Sequence, residues 1–220
     1  MSNSIGEIFR VTSFGESHGR CVGILIDGCP AGLPLDPEEI QKEVDKRRPQ
    51  AGAGQTARAE EDLIEILSGV FQGHTTGAPI CLLVWNKDTD SSQYERIKST
   101  PRPGHADYTA YVKYGGFNDY RGGGRFSGRV TVGTVMAGAI AKKLLGRYSI
   151  EVLAHTIQIG AIKAGPLGPD EIRQRVYQNA LRCADPKAAE EMLKVIQEAG
   201  KEGDSIGGLI EGMVDRKSVV

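Results

Sequence analysis

The sequence predicts a fold that mixes strands with helices, consistent with the α+β class, on three observations. Residues 21–27, CVGILID, are rich in β-branched side chains and lack a helical period, which is typical of a strand. Asp36 followed by Pro37 is a favourable N-cap and first helical position. Residues 127–147 are long enough for a central helix. Both kinds of element are therefore expected within one chain.

The N-terminal segment predicts two strands and a helix. The strands lie within residues 7–27 and are joined by the glycine-bounded turn at residues 15–19. The helix after Asp36 has Ile40 and Val44 four residues apart, which gives it an apolar stripe on one face.

The middle of the chain alternates loops with further elements. Residues 49–60 have no periodicity and are predicted to form a loop. Two strands are predicted at residues 63–71 and 79–85, followed by an irregular segment at residues 88–103. A short helix is expected to begin near Ala106.

Three helices are predicted in the remaining sequence, at residues 127–147, 169–181 and 186–199. Small residues allow close approach of neighbouring backbones, so the first of these helices should pack tightly against another helix or a sheet. Its small residues on one face are Gly133, Ala137, Gly138 and Ala141.

Composition excludes several classes of function. The chain has 220 residues, a net charge of −1 and a pI of about 6.4, so its overall field favours neither nucleic acid nor membrane as a partner. Neither a signal peptide nor an apolar run of membrane-spanning length is visible, and a cytoplasmic location is expected. Four scattered cysteines argue against a zinc site and favour reduced thiols: Cys21, Cys29, Cys81 and Cys183.

The turn GESHG, residues 15–19, fits the Gly-x-Ser-x-Gly pattern of a hydrolase nucleophile elbow. Such an elbow requires a strand-to-helix turn, whereas a strand is predicted to follow here. The same pattern recurs at residues 203–207 after a helix. The sequence therefore argues against Ser17 as a hydrolase nucleophile.

A glycine triplet precedes the long helix and is the strongest candidate for an anion site. Backbone amides of Gly122–Gly124 and the positive end of a helix dipole could meet a phosphate or carboxylate there. The alternative is a solvated turn beside a capped helix. Ser127 is a candidate cap or hydrogen-bond donor, and three arginines flank the triplet: Arg121, Arg125 and Arg129.

Two histidines lie in glycine-bounded turns beside arginines. His105 follows Arg102 in the segment RPGHAD, and His18 precedes Arg20. Imidazole is suited to general acid–base work near neutral pH, and arginine pairs with anions. A lone histidine is more often structural, however, and His74 and the fourth histidine, at position 155, are interpreted as surface or core residues.

Arg47 and Arg48 close the first helix, where cations also complement the C-terminal dipole. If these arginines instead contribute to a site, the loops form an arginine-lined pocket with two histidines, suited to a small polyanion. Residue chemistry alone does not name the reaction.

Several long motifs resemble the chorismate synthase family. IGEIFRVTSFGESHG with GILIDGCPAGLPL is similar to its first signature, and RPGHADYT with KYGGFNDYRGGGRFSGR is similar to its second. EILSGVFQGHTTGAPI and EGDSIGG also match in order. The resemblance spans residues 5–212 and implies a layered α+β sandwich of long helices between antiparallel sheets, here incomplete.

The resemblance implies a lyase of the shikimate pathway. The family converts 5-enolpyruvylshikimate 3-phosphate to chorismate and phosphate by a formal 1,4-elimination that uses reduced FMN without consuming it. It further implies a homotetramer for the full-length protein. The source of reduced FMN, an NADPH-dependent activity of the protein itself or an external supply, is left open.

The resemblance also implies roles for particular residues. His18 would protonate the departing phosphate, and His105 would govern the protonation of reduced FMN. Substrate would be held by Ser17, Arg47, Arg48, Arg102 and Arg129. FMN would be contacted by Arg125, Phe126 and Ser127.

Two departures from the family pattern stand out. The loop RPQAGAGQTAR carries Gln50 and Ala53 where the family has glycine and arginine, while Arg58 matches. Family members also exceed 300 residues and contain a third signature absent here. We therefore expect residues 1–212 to be the N-terminal part of one domain with an unrelated tail at 213–220. The 220-residue chain alone is expected to be inactive and to bind FMN weakly. The alternative function is an inactive anion-binding remnant of the same fold.

Overall fold

The computed structural model describes residues 3–47, 62–87 and 90–216. They form two compact units, the first comprising the described residues up to Ala141 and the second those from Lys142 onward. The prediction of a single domain over residues 1–212 stays a prediction. The predicted loop at 49–60 lies outside the described residues.

The first unit is built on an antiparallel five-stranded sheet in the order β1-β2-β3-β7-β4. A separate two-stranded ribbon pairs β5 with β6. The strand bounds are β1 Ser4–Ile5, β2 Arg10–Gly15, β3 Cys21–Asp27, β4 Ile64–Ser68, β5 Val70–Phe71, β6 His74–Thr75 and β7 Ile80–Trp85. The strands predicted within residues 7–27 and at residues 63–71 and 79–85 are confirmed, and the one at 63–71 is divided into β4 and β5.

The core of this unit follows from strand alternation. Ile24 in β3 lies opposite Leu82 in β7, and both are fully buried. Leu25, the next residue along β3, is partly exposed because successive side chains point to opposite faces. The register therefore places one apolar face of the sheet in the interior.

Helix α1, Pro37–Asp45, begins as predicted. The side chain of Asp36 accepts a hydrogen bond of 2.9 Å from the amide of Glu38, and the apolar stripe is buried. Helix α2 spans Asp107–Lys113, as the sequence predicts near Ala106.

Helix α3 spans Thr131–Gly146 and begins later than predicted. Ser127 is extended and caps a 3-10 turn at Gly128–Val130, so the α-helix starts only after that turn. A Cβ atom on Gly133 would lie 2.6 Å from the side chain of Ile24. The predicted close packing of small residues is therefore made against the sheet.

The second unit contains an antiparallel sheet in the order β10-β8-β9. The bounds are β8 Ile150–Ile159, β9 Ile162–Lys163, α4 Pro169–Arg175, α5 Pro186–Lys201 and β10 Gly208–Arg216. Strand β8 is absent from the sequence-based prediction. Helix α4 ends earlier than predicted: the amide of Gln178 donates to the carbonyl of Arg175 in a turn. In the following turn the Asn179 side chain accepts hydrogen bonds from the amides of Leu181 and Cys183.

The α+β class is confirmed, since both units combine helices with antiparallel sheets. All four cysteines are free thiols, as expected. Within the described ranges, no His, Cys, Asp and Glu cluster is suited to holding a metal. Across the same residues, no helix is both long and apolar enough to cross a membrane.

Candidate functional site

The turn that carries Ser17 and His18 joins β2 to β3 in the first unit. Both side chains are buried, at 2% and 7% relative exposure. The side-chain amide of Asn86 donates to the carbonyl oxygens of Glu16 at 3.1 Å and Gly19 at 2.8 Å, which fixes the turn at its two ends. Because a strand follows the turn, the nucleophile-elbow geometry is not formed.

His18 is held from three sides. Its Nδ1 atom lies 3.0 Å from the hydroxyl of Ser91, and its ring packs against the Tyr94 ring in an edge-to-face arrangement, with the centroids 4.9 Å apart. On the other side lies Gly122, where a Cβ atom would be 2.5 Å from Nε2 of His18. The imidazole therefore has one fixed orientation in the fold.

The glycine triplet lies directly against this turn. The amide of Ser17 donates to the carbonyl of Gly124 at 3.2 Å. All three glycines have positive φ, and a side chain at Gly122 would also reach within 2.9 Å of the Ser17 hydroxyl. The sequence requires glycine here because the backbone is left-handed and approaches His18 closely. The triplet and His18 thus form one site.

Arg102 joins this site through Tyr94. Its guanidinium carbon lies 5.8 Å from the centre of the Tyr94 ring, which also contacts His18. Asp107 accepts hydrogen bonds from Nε of Arg102 at 2.8 Å and from Nη2 at 3.1 Å. These hydrogen bonds hold the pKa of Asp107 below its usual value, against the opposing effect of burial. Arg102 is therefore a fixed positive charge near His18.

His105 is exposed at the beginning of α2. Its Nδ1 donates to the carbonyl oxygen of Pro103 at 3.1 Å, since a carbonyl only accepts. This hydrogen bond places the proton of the neutral ring on Nδ1 and makes Nε2 the basic nitrogen.

The arginines beside the glycine triplet have partners within the unit. Arg121 pairs with both carboxylate oxygens of Asp119, and the hydrogen bonds lower the pKa of that aspartate. Arg125 donates to Asn3 at 3.1 Å and to the hydroxyl of Ser13. Each guanidinium has five N–H groups, so these contacts orient the group while using only part of its donor capacity.

Arg47 and Arg129 meet at one carboxylate. Asp62 pairs with Nη1 of Arg47 at 3.3 Å and also with Nη1 of Arg129. Arg129 donates in addition to Asn86 at 3.0 Å, and Arg47 to Thr131 at 3.0 Å. Burial lowers the pKa of Arg47, while Asp62 opposes that effect and Arg129 adds to it. Arg47 therefore takes part in an ion-pair network with Asp62 and Arg129, in addition to lying just after the C-terminal end of α1.

A cavity of about 330 Å³ opens beside Arg125. The rings of Tyr114 and Phe126 lie 6.3 Å apart in its wall, and Phe117 is almost fully exposed. Aromatic faces together with a guanidinium suit a planar ring that bears an anionic tail. Arg125 and Phe126 are two of the residues that the family resemblance assigns to FMN; the third, Ser127, accepts a hydrogen bond from the amide of Arg129. The residues present fit the cofactor.

Several predicted residues remain outside this arrangement. Arg48, together with Gln50, Ala53 and Arg58, lies outside the described residues. His74 is exposed, and the fourth histidine, at position 155, is buried in the second unit, as their interpretation as surface and core residues requires.

Sequence reasoning missed four residues of the site: Asp62, Asn86, Ser91 and Tyr94. Each contacts a predicted site residue that is distant along the chain. The available signal was weak, since aspartate, asparagine and serine are common in loops. Only Asn86, a polar residue directly after a buried strand, stood at a position typical of functional residues.

The described contacts define a class of site: a buried histidine against a glycine turn, with arginines and a carboxylate network around it, as suits a small anionic ligand. Comparison with known proteins identifies the family. The chorismate synthase family model matches residues 9–219, and the chain belongs to the chorismate synthase family.

Individual relatives agree with this family. The chain is 58% identical to chorismate synthase from Dehalococcoides mccartyi, over 96% of this chain and 58% of that protein. It is 54% identical to chorismate synthase from Methanothermobacter thermautotrophicus, over 96% of this chain and 56% of the relative. A crystal structure of chorismate synthase superposes with a TM-score of 0.72 at 29% identity, covering 94% of this chain and 58% of the solved one. The chain thus spans somewhat more than half the length of these proteins.

Proposed function

We propose that the protein acts as a chorismate synthase, eliminating phosphate from 5-enolpyruvylshikimate 3-phosphate to give chorismate with reduced FMN as cofactor. The observation that carries the proposal is the burial of His18 against the Gly122 turn, with its Nδ1 on Ser91. An elimination that releases a phosphate requires a proton donor of fixed orientation and positive charge around the leaving group. Membership of the family supplies the reaction class, a lyase of aromatic amino-acid biosynthesis.

In this proposal His18 delivers the proton to the departing phosphate oxygen. Arg102 holds a phosphate or carboxylate of the substrate through donors that Asp107 does not occupy, since Asp107 engages Nε and Nη2. Arg47 contributes charge near the N-terminus of α3, where it contacts Thr131, and Arg129 contributes charge through the same Asp62 network. Ser17 contributes a hydroxyl. The family resemblance assigns Arg48 to substrate binding as well.

When bound, reduced FMN would supply electron density to the elimination without being consumed. Arg125, Phe126 and Ser127 would hold it at the cavity beside Arg125. His105 would take or return a proton at Nε2, because its Nδ1 is engaged by the Pro103 carbonyl.

The activity is tested in two forms of the protein. One is the 220-residue chain, and the other is a chimera in which the Dehalococcoides mccartyi relative continues it beyond the matched region. We expect the chimera to release phosphate and form chorismate when reduced FMN is present. We expect the chain alone to be inactive and to bind FMN weakly and in a salt-dependent manner.

The chimera also tests the residue assignments. His18→Ala and His105→Ala should each lower turnover about 100-fold or more, because general acid–base catalysis supplies about 10²–10⁴-fold. Ser17→Ala should have a much smaller effect, and His74→Ala serves as the matched control on an exposed histidine.

A folded chimera that binds FMN but forms no chorismate would overturn the proposal and favour an anion-binding remnant. A complete loss of turnover in Ser17→Ala alone would revive the nucleophile interpretation.

Family membership also supports three further proposals: a cytoplasmic location, a homotetramer for the full-length protein, and a layered arrangement of long helices between antiparallel sheets. Sedimentation velocity of the chimera tests the tetramer directly.

A further inference from the structure

The contact between His18 and Ser91 joins residues 73 positions apart in the sequence. Ser91 immediately precedes a 3-10 turn at Ser92–Tyr94, and the Tyr94 ring at the end of that turn packs edge to face with the imidazole. One short segment therefore provides both a hydrogen bond to Nδ1 and a wall for the ring.

The opposite edge of the imidazole lies against the glycine turn. A Cβ atom at Gly122 would be 2.2 Å from Cδ2 and 2.5 Å from Nε2 of His18. Rotating the ring by 180° would replace Nδ1 by carbon at Ser91 and lose the hydrogen bond. The two ring nitrogens therefore have different surroundings, with Nδ1 on a serine hydroxyl and Nε2 beside the candidate anion site.

We propose that Ser91 is a positioning residue that accepts a hydrogen bond from Nδ1–H of His18 and thereby makes Nε2 the atom that delivers the proton. This rests on the proposed function. A neutral histidine that has just given up its Nε2 proton retains a proton on Nδ1. A hydroxyl that accepts from Nδ1–H stabilises both this neutral form and the cation before it.

The proton balance of the step is simple. The carbon–oxygen bond to phosphate breaks and its electron pair stays on the departing oxygen, which receives the Nε2 proton. The imidazolium becomes a neutral ring protonated on Nδ1. The new double bond takes its electron pair from the C–H bond that the overall elimination breaks, and the proton from that carbon is released to solvent. Solvent returns one proton to Nε2 before the next cycle.

The tautomer is measured directly on the 220-residue chain labelled with ¹⁵N-histidine. The chain has four histidines, and a His18→Gln variant assigns the signal. In long-range ¹H–¹⁵N spectra we expect neutral His18 to be protonated on Nδ1. His105 and His74 provide internal references, because their Nδ1 atoms face backbone carbonyls at 3.1 and 3.0 Å.

Ser91→Ala should return His18 toward the Nε2–H tautomer, which free imidazole side chains prefer, while Ser91→Thr should retain the Nδ1–H form. The matched control is Ser99→Ala, which removes an exposed hydroxyl from the same loop. A wild-type ring protonated on Nε2, or a tautomer unchanged in Ser91→Ala, would overturn the proposal. The reference histidines should keep their signals in every folded variant.

A second measurement separates this proposal from the proposed function. In the chimera, Ser91→Ala should lower kcat about tenfold with little change in KM, and Ser91→Thr should restore kcat, since only the orientation of the acid changes. If the chimera lacks activity while the tautomer responds to Ser91 as expected, the proposed function fails and the assignment of Ser91 to His18 stands. If the chimera is active and Ser91→Ala turns over normally, the positioning role is wrong.

Discussion

Arg129 and Asp62 form an ion pair between two side chains that are each about nine-tenths buried. Asp62 also accepts from Arg47, so one carboxylate separates two guanidinium groups. Without it, two like charges would remain close together and partly removed from water, which is strongly unfavourable. Asp62 therefore fixes the position of two of the arginines assigned to the substrate.

Asp62→Asn should destabilise the first unit by about 3 kcal/mol, because removing one partner of a buried pair leaves the other charge uncompensated. Trp85 is the only tryptophan, and its carbonyl accepts from Arg129, so its fluorescence reports unfolding at this point during urea titration. Glu43→Gln, which breaks the more exposed pair with Lys46, should change stability by at most about 1 kcal/mol. Equal effects of the two substitutions would show that Asp62 has no special role.

Asp107 predicts a pH-dependent contribution to stability. The hydrogen bonds from Arg102 lower the pKa of Asp107 below its ordinary value of 3.8. A carboxyl group with a depressed pKa in the folded state contributes stability above its unfolded-state pKa, and this contribution is lost as the pH falls through the folded-state value. The stability difference between wild type and Asp107→Asn should be full at neutral pH and shrink below pH 3.8. Urea midpoints of both proteins across that range measure it; a difference independent of pH would contradict the depressed pKa.

Gly122→Ala should displace His18. The new Cβ would lie 2.2 Å from Cδ2 of the ring, whereas non-bonded carbons approach to about 3.5–4.0 Å. Gly123→Ala is the matched control, because Gly123 also has positive φ and the nearest atom to its Cβ position is 3.8 Å away. Both variants share the backbone strain, but only the first should shift the ring signals of His18 in NMR spectra and lower turnover in the chimera. Similar spectra for both variants would mean that the ring can move away without consequence.

The elements that the sequence predicts well are those whose signals are local. The strand at residues 21–27 follows from β-branched side chains, and α1 follows from its Asp36 cap and apolar stripe. The boundaries that were missed depend on side-chain competition with the backbone. Asn179 stabilises the turn after α4 by accepting from two amides, and Ser127 delays α3 by capping a 3-10 turn.

The residues of the candidate site show the same contrast between local and long-range signals. His18 and the glycine triplet were predictable, because glycine-bounded turns with charged residues are unusual in any sequence. Ser91 and Asp62 were not, because their contacts with His18 and Arg129 span 73 and 67 residues and exist only after the sheet has formed. The sequence indicated the residues that are proposed to carry chemistry and left out those that contact them across the fold.

The second unit contains a buried histidine, His155, which is 3% exposed. Its Nε2 lies 3.3 Å from the carboxylate of Glu211 on the neighbouring strand β10, while its Nδ1 has no hydrogen-bond partner among the described residues. A buried polar atom left without a partner destabilises a fold by about 1–3 kcal/mol. His155→Leu removes that atom at similar volume, and the half-exposed Glu211 regains water, so stability should rise by about 1 kcal/mol. Glu211→Ala should act in the opposite direction, because it leaves the second ring nitrogen without its carboxylate partner.

Hydrogen exchange of the β8 amides measures both variants within this unit, and slower exchange in His155→Leu with faster exchange in Glu211→Ala is the expected result. Faster exchange in His155→Leu would show that the histidine stabilises the unit through the Glu211 contact more than its unpaired nitrogen destabilises it.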